Sequence, residues 1–246
     1  MKDYRAYFFD LYGTLVDIHT DEARPGLWRE FAGFCAARGA PFPARILRQR
    51  YLDLCAAETE RLQEAAEPGA EVEPDLRRIF AALYREGGRE PTETLVDETA
   101  IFFRQRSTTH LRAYAGAKEL LAALRSRGRV ILLSNAQSCF TRPELERLGL
   151  RDSFDRIWIS SDAGRKKPDP RFYAMALEEL GENPARCLMI GNDPRCDILG
   201  AKRAGMDALL IRSALSPKHC AGGDEADYRM EGMNLRKLKT RLIPGR

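Results

Sequence analysis

The sequence predicts a doubly wound α/β fold, with a mainly parallel sheet and an inserted helical domain, on three observations. Five short apolar runs rich in β-forming residues, Ala6 to Phe9, Val130 to Leu133, Ile157 to Ile159, Leu188 to Ile190 and Ala208 to Ile211, have the length and composition of buried strands. Helix-length patterns separate the later runs, and strands alternating with helices of about ten residues imply parallel pairing through crossovers. From about Asp17 to Arg112 the rhythm breaks into four or five amphipathic helices with no convincing strand.

Taken in order, the first strand is Ala6 to Phe9, ending on Asp10 and a Gly-containing turn. The helical segment is punctuated at Gly39-Ala40-Pro41 with Pro43, Pro68-Gly69, Pro74, Gly87-Gly88 and Pro91, each a helix boundary because Pro and Gly interrupt the backbone ladder. The expected division is therefore residues 1–16 and 113–246 as an α/β core, and 17–112 as a helical cap domain, with His19 as a turn residue in the linker. Lys118 to Arg127 places Leu120, Leu121 and Leu124 on one helical face, and Arg171 to Leu180 does so with Phe172, Met175, Ala176 and Leu180. Ile198 to Ala204 is a short helix of small residues. Beyond Ser216 the pattern is less regular: Gly222-Gly223 marks a turn, Tyr228 to Met230 an edge strand, and Leu235 to Leu242 a basic terminal helix.

A chain of 246 residues with 44% hydrophobic and 31% charged residues has ample material for a core, at roughly 150 residues per domain, and is neither disordered nor fibrous. Lys and Arg total 40 against 36 acids, and the interspersed signs argue against nucleic acid as a partner. The six cysteines have no metal-ligand or CxxC spacing, which points to reduced thiols in an intracellular setting. No apolar run approaches the roughly 18 residues of a membrane helix, and the N-terminal run lacks a signal-peptide cleavage site. The expectation is a cytoplasmic protein with a small-molecule partner and no membrane.

Four polar signals sit at the carboxyl ends of predicted strands, where ligands of doubly wound sheets bind. The first is Asp10-Leu11-Tyr12-Gly13-Thr14, which delivers a carboxylate, a candidate nucleophile, to a turn with exposed amides; a turn-capping Asp is the plainer reading. The second is Ser134-Asn135, a hydroxyl and an amide able to hold an anionic oxygen, or a helix cap. The third is Lys166-Lys167-Pro168-Asp169-Pro170, where proline rigidity fixes a cation, or a solvated basic loop. The fourth is Gly191-Asn192-Asp193-Pro194-Arg195-Cys196-Asp197, whose two acids four apart suit a hard divalent cation, or cap a helix. Cys196 reads as a packed small residue rather than a reactant.

In this order and spacing the four signals resemble the haloacid dehalogenase (HAD) superfamily, from residue 5 to about 213, with the helical segment similar to that family's inserted α-helical cap. The resemblance implies Asp10 as nucleophile, Thr14 as its supporting hydroxyl, Ser134 and Asn135 as binders of substrate oxygens, Lys167 as charge neutraliser, and Asp193 with Asp197 as the acidic motif holding Mg²⁺ together with Asp10 and the Tyr12 carbonyl; the alignment is open by one residue, since Asn192 follows the glycine where the family's first acid often stands. Phosphatases of the superfamily carry a second Asp two residues after the nucleophile; here Tyr12 stands there, as in 2-haloacid dehalogenases, and a phenol with a pKa of about 10 is a poor general base near neutrality. Tyr173 and Arg48-Gln49-Arg50-Tyr51 also resemble dehalogenase positions, Arg48 being the expected binder of a substrate carboxylate. The retained acids point back to magnesium. The leading expectation is a Mg²⁺-dependent phosphatase of a small phosphorylated metabolite; the alternatives are a metal-independent 2-haloacid dehalogenase and a non-enzymatic phosphate- or protein-binding module.

Overall fold

The computed structural model describes residues 2–218 and 220–243. All five apolar runs are strands: β1 (Ala6–Phe9), β4 (Arg129–Ser134), β5 (Arg156–Ile159), β6 (Cys187–Gly191) and β7 (Asp207–Arg212). The edge strand β8 (Tyr228–Glu231) completes a six-stranded sheet of order β5-β4-β1-β6-β7-β8, in which every pairing is parallel. Side chains alternate faces along a strand, so Tyr7 and Phe9 pack on one side of β1 and Ala6 and Phe8 on the other. The first face is covered by α5 (Ala117–Arg125) and α10 (Leu235–Leu242), through Leu120, Leu121 and Leu124 and through Leu235, Leu238 and Leu242. The second is covered by α8 (Pro170–Leu180), through Phe172, Tyr173, Ala176 and Leu180. Burial on both faces is why these strands read as continuous apolar runs.

From β1 the chain builds outward first through β4 and β5 and then, on the opposite side, through β6, β7 and β8, so the strand order reverses at β1. A crevice opens at such a switch point, at the carboxyl ends of the strands. Asp10 follows the last residue of β1 and stands at that point.

Between Thr20 and Thr108 rise four helices, α1 (Pro25–Ala36), α2 (Ala44–Ala65), α3 (Leu76–Glu86) and α4 (Glu93–Ser107). Two strands that the sequence pattern does not predict flank them: β2 (Val16–Thr20) and β3 (Thr108–Ala113) form an antiparallel ribbon whose register sets Asp17 opposite Arg112 and His19 opposite His110. These strands are short and polar, and their ribbon is held by partners remote in sequence, among them the Asp17 carboxylate with His110 and Arg112, both at 2.9 Å. His19 accordingly lies in the ribbon rather than in a turn. The expected divisions at residues 17 and 112 fall inside it. A helix absent from the sequence reading, α6 (Ser138–Leu148), follows β4, and a single turn, α7 (Ser160–Ala163), follows β5. The expected helix over 198–204 is two pieces, a π-helical turn over Pro194–Leu199 and α9 (Gly200–Arg203).

The helical segment has an aromatic core of its own, in which the Phe103 ring lies 5.1–5.7 Å from those of Trp28, Phe31, Tyr51 and Phe80. Its loop over residues 66–75 reaches down to the sheet: the Lys166 amide donates to the Glu71 carbonyl at 2.9 Å and the Glu73 amide to the Gly164 carbonyl at 3.1 Å. Among the described residues no helix is long and apolar enough to cross a membrane, and all six cysteines are free thiols.

Candidate active site

At the carboxyl ends of β1 and β6 a cavity of about 190 Å³ is lined by Asp10, Tyr12, Asn135, Lys167, Asn192, Asp193, Cys196, Asp197, Leu215 and Pro217. Its centre is a buried charge cluster. The Lys167 ammonium, 2% exposed, donates to Asp10 Oδ1 at 2.8 Å and to Asp197 Oδ1 at 2.7 Å, and Asp197 is 1% exposed. Burial by itself would lower the lysine, but the two carboxylates outweigh it and hold its pKa above the ordinary value, so it stays charged. Burial lifts Asp197, Lys167 pulls it back and Asp10 pushes it up again, leaving its pKa at about 7. Two acids share one cation here.

Lys167 is set from its backbone. Its amide donates to Asn135 Oδ1 at 2.7 Å, and Asn135 Nδ2 donates back to its carbonyl at 2.8 Å, so the amide after β4 clamps the lysine loop like one rung of a sheet. The preceding Ser134 lies fully buried, its Oγ without a hydrogen-bond partner among the described residues. A buried hydroxyl costs free energy unless something satisfies it; Ser134 does not itself line the cavity but directly precedes Asn135, which does.

The loop after Asp10 turns through Gly13, whose φ of +83° favours glycine; a Cβ there would stand 2.3 Å from Asn192 Nδ2. That close approach lets Thr14 Oγ1 bridge Asp10 Oδ2, at 3.4 Å, and Asn192 Oδ1, at 3.3 Å. Both contacts are long, and one hydroxyl proton serves two acceptors. Asp10 Oδ2 and Asn192 Oδ1 therefore keep lone pairs free, a pair of hard oxygens of the kind that takes a divalent cation.

Asp193 lines the cavity and also caps a helical turn through one of its two carboxylate oxygens. Its Oδ1 accepts from the amides of Arg195 and Cys196, both at 2.8 Å, capping the π-helical turn, while its own amide donates to Asp197 Oδ2 at 2.9 Å. The capping reading of that acid describes its geometry, and Asn192 is the residue brought to Asp10 and Thr14. Asp197, with one oxygen on Lys167 and the other on the Asp193 amide, is spent on the protein. Gly191 makes room for it, since a Cβ there would lie 2.2 Å from Asp197 Cγ.

A family model described as haloacid dehalogenase-like hydrolase matches residues 4–205. The chain belongs to this family. It is 35% identical over 146 residues to a phosphoserine phosphatase of Thermus thermophilus, a stretch that is 59% of this chain and 57% of that one, little more than half the relative's length. In fold it is similar to a HAD phosphatase from Thermococcus onnurineus, with a TM-score of 0.61, 21% identity and 97% of both chains covered. It is equally similar to a 2-haloacid dehalogenase from Pseudomonas syringae pv. Tomato, with a TM-score of 0.61, 20% identity and 96% of both covered.

Of the residues singled out in this HAD-like hydrolase, Asp10, Thr14, Asn135, Lys167 and Asp197 meet around one cluster, with Ser134 at the neighbouring strand end. Tyr12 lines the cavity, but its hydroxyl donates to Glu144 Oε2 at 2.5 Å and stands 3.1 Å from Thr141 Oγ1. Burial first, and then the Glu144 charge, push the phenol above its ordinary pKa against the pull of Arg104, so it stays neutral. Arg48 is not in the cavity: it lies exposed on α2 and lines a separate hollow with Trp28 and Arg45. A lone helical arginine carries no sequence signal of the direction it faces. Tyr51, three residues on, is buried in the aromatic core, and Tyr173 is buried with its hydroxyl donating to the Cys196 carbonyl at 2.6 Å. Cys196 lines the cavity with its thiol pushed up to about 12 by burial, too high for a thiolate at neutral pH. The sequence reading missed Glu144, Thr141 and Arg104, which carry no motif, and Leu215 with Pro217, the apolar wall of the cavity.

Proposed function

We propose that this enzyme is a metal-dependent phosphohydrolase working through an aspartyl-phosphate. The observation that carries the reading is the charge of the cavity: Asp10, Asp193 and Asp197 line it, and among the described residues Lys167 is the single cation of its lining. A phosphoryl dianion entering that net-negative space needs more positive charge than one shared ammonium offers. Asp10 through Oδ2, Asn192 through Oδ1 and Tyr12 through its carbonyl would hold Mg²⁺, with water and substrate oxygens completing its shell, as Mg²⁺ accepts few protein ligands. When bound, the cation offsets the like charges of nucleophile and phosphoryl group.

Asp10 then attacks phosphorus in line; the bond to the ester oxygen breaks and its electron pair departs with the leaving group. In this reading Lys167 takes charge on the phosphoryl oxygens, and the Ser134 hydroxyl, without a partner among the described residues and next to the cavity-lining Asn135, would join it. Water attack on the aspartyl-phosphate releases phosphate and restores the carboxylate. Asn135 acts by holding Lys167 in place. With the Tyr12 phenol neutral and committed to Glu144, no carboxylic acid stands two residues after the nucleophile to protonate the leaving oxygen. Esters whose leaving groups need no proton should be the better substrates.

Two observations favour a second reading, a 2-haloacid dehalogenase: tyrosine at position 12 and an amide rather than an acid at position 192. Against it stands the place of Arg48, which leaves a substrate carboxylate only Lys167, a cation already shared by Asp10 and Asp197. The test is a side-by-side assay of EDTA-stripped protein, titrated with Mg²⁺, for phosphate from aryl and alkyl phosphates and for halide from 2-chloropropionate. We expect Mg²⁺-dependent phosphate release, with kcat/KM for the aryl ester exceeding the alkyl one by about 10²-fold or more, the scale of a missing general acid. Halide release indifferent to EDTA would establish the dehalogenase instead.

A further inference from the structure

Tyr12 is the residue of the nucleophile loop that leaves the cavity and enters a second network. Glu144, on α6 of the core, receives the phenol on Oε2 at 2.5 Å and the Arg104 Nε on Oε1 at 2.6 Å. Arg104 belongs to α4, the last helix of the cap, which runs directly into β3. The guanidinium carbon also lies 5.1 Å from the Phe140 ring centroid and 5.7 Å from that of Tyr12. The Arg104 and Glu144 side chains are only 15% and 9% exposed, and neither residue lines the cavity around Asp10. A buried ion pair is costly to desolvate and is weak evidence of stabilisation by itself. This one joins three separate elements, the nucleophile loop, a core helix and the cap's exit helix, through one carboxylate, that of Glu144.

We infer that Glu144 and Arg104 are positioning residues that act through Tyr12, holding its hydroxyl on α6 and tying the nucleophile loop to the exit helix of the cap. The inference rests on Asp10 being the reacting group and goes beyond the phosphatase reading, because it assigns roles to two residues outside the cavity. A displacement of α4 relative to α6 breaks the Arg104–Glu144 contact and frees the loop, so the cap's position is felt at the nucleophile.

The test is a double-mutant cycle of Tyr12→Phe and Glu144→Gln, read in two ways. With an aryl phosphate and Mg²⁺, each single variant should lower kcat about tenfold, the worth of one charge-assisted hydrogen bond, while KM stays within about twofold. The double variant should be no worse than the poorer single one. In parallel, amide hydrogen exchange over residues 11–16, which needs no substrate, should quicken to the same extent in all three. Glu144→Gln leaves a buried guanidinium without its counter-charge, so Arg104→Gln/Glu144→Gln is run beside it. That charge-free pair should reproduce the Tyr12→Phe exchange rates. Effects that multiply in the double variant, or exchange over 11–16 unchanged by any of the three, would overturn the inference. Absence of phosphate release from the wild type would remove the phosphatase reading while leaving the exchange measurement to decide this one.

Discussion

At the carboxyl ends of β1 and β6 the buried side chains are charged, whereas in the helical segment they are mainly aromatic and most charges lie outside, Arg104 with its partner Glu144 being the exception. Lys167, Asp10 and Asp197 are enclosed and bonded to one another, and beside them Thr14, Asn192 and Ser134 bury polar atoms. In the helical segment Trp28, Phe31, Tyr51, Phe80 and Phe103 fill the interior, and ion pairs such as Arg50 with Glu86, at 2.5 Å, face solvent. Buried charge is expensive and persists where chemistry uses it, while buried aromatic surface stabilises. Chemistry and stability are therefore separable in this chain: substitutions at the strand ends should alter turnover more than folding, and substitutions in the cap interior the reverse.

The largest effect should come from Asp10→Asn, which keeps shape and removes the nucleophile's charge. Turnover should fall below detection with the melting transition retained, and wild-type rates in a clean preparation would remove the covalent mechanism. Next is Phe103→Ala, which empties the hub of the aromatic cluster. It should cost about 3–5 kcal/mol in a denaturant titration. A loss near zero would show that the cap contributes little to the cooperative unit.

Asp197→Asn addresses the cost of enclosing two acids with one cation. Its folded-state pKa of about 7 lies above the unfolded value of about 3.9, so the folded chain holds the proton longer. The stability this group contributes is present at low pH and is lost as pH rises between those two values. Wild-type melting temperature should therefore fall more steeply from pH 5 to 7 than that of Asp197→Asn, and parallel profiles would mean that Asp197 is ionised throughout. The smallest effect should be that of Arg50→Ala, because an exposed pair gains little in water. Its melting curve should overlay the wild type's, and a clear shift would blur the contrast between the two regions.

What was legible follows from what is local. Strands buried on both faces must be continuously apolar, so the five runs could be read without a partner in view, and the carboxyl end of each strand then located Asp10, Ser134, Lys167 and the last motif on one edge of the sheet. The helices α5 and α8 announced themselves by their apolar faces, and α10 as a basic terminal helix. What tertiary structure alone decided depends on partners distant in the chain. The ribbon of β2 and β3 joins two polar stretches about 90 residues apart, so neither is a strand by its own pattern. The local geometry of Asn192 and Asp193 depends on the π-helical turn at Pro194, which engages one oxygen of Asp193 with two amides and sets the Asn192 oxygen on the Thr14 hydroxyl beside Asp10. Arg48 faces away because the rotation of α2 is set by its packing against α1 and α3 rather than by residue type. The meeting of Tyr12, Arg104 and Glu144 needed the cap to lie against α6, a contact between side chains that carry no motif and acquire their roles from where the fold places them.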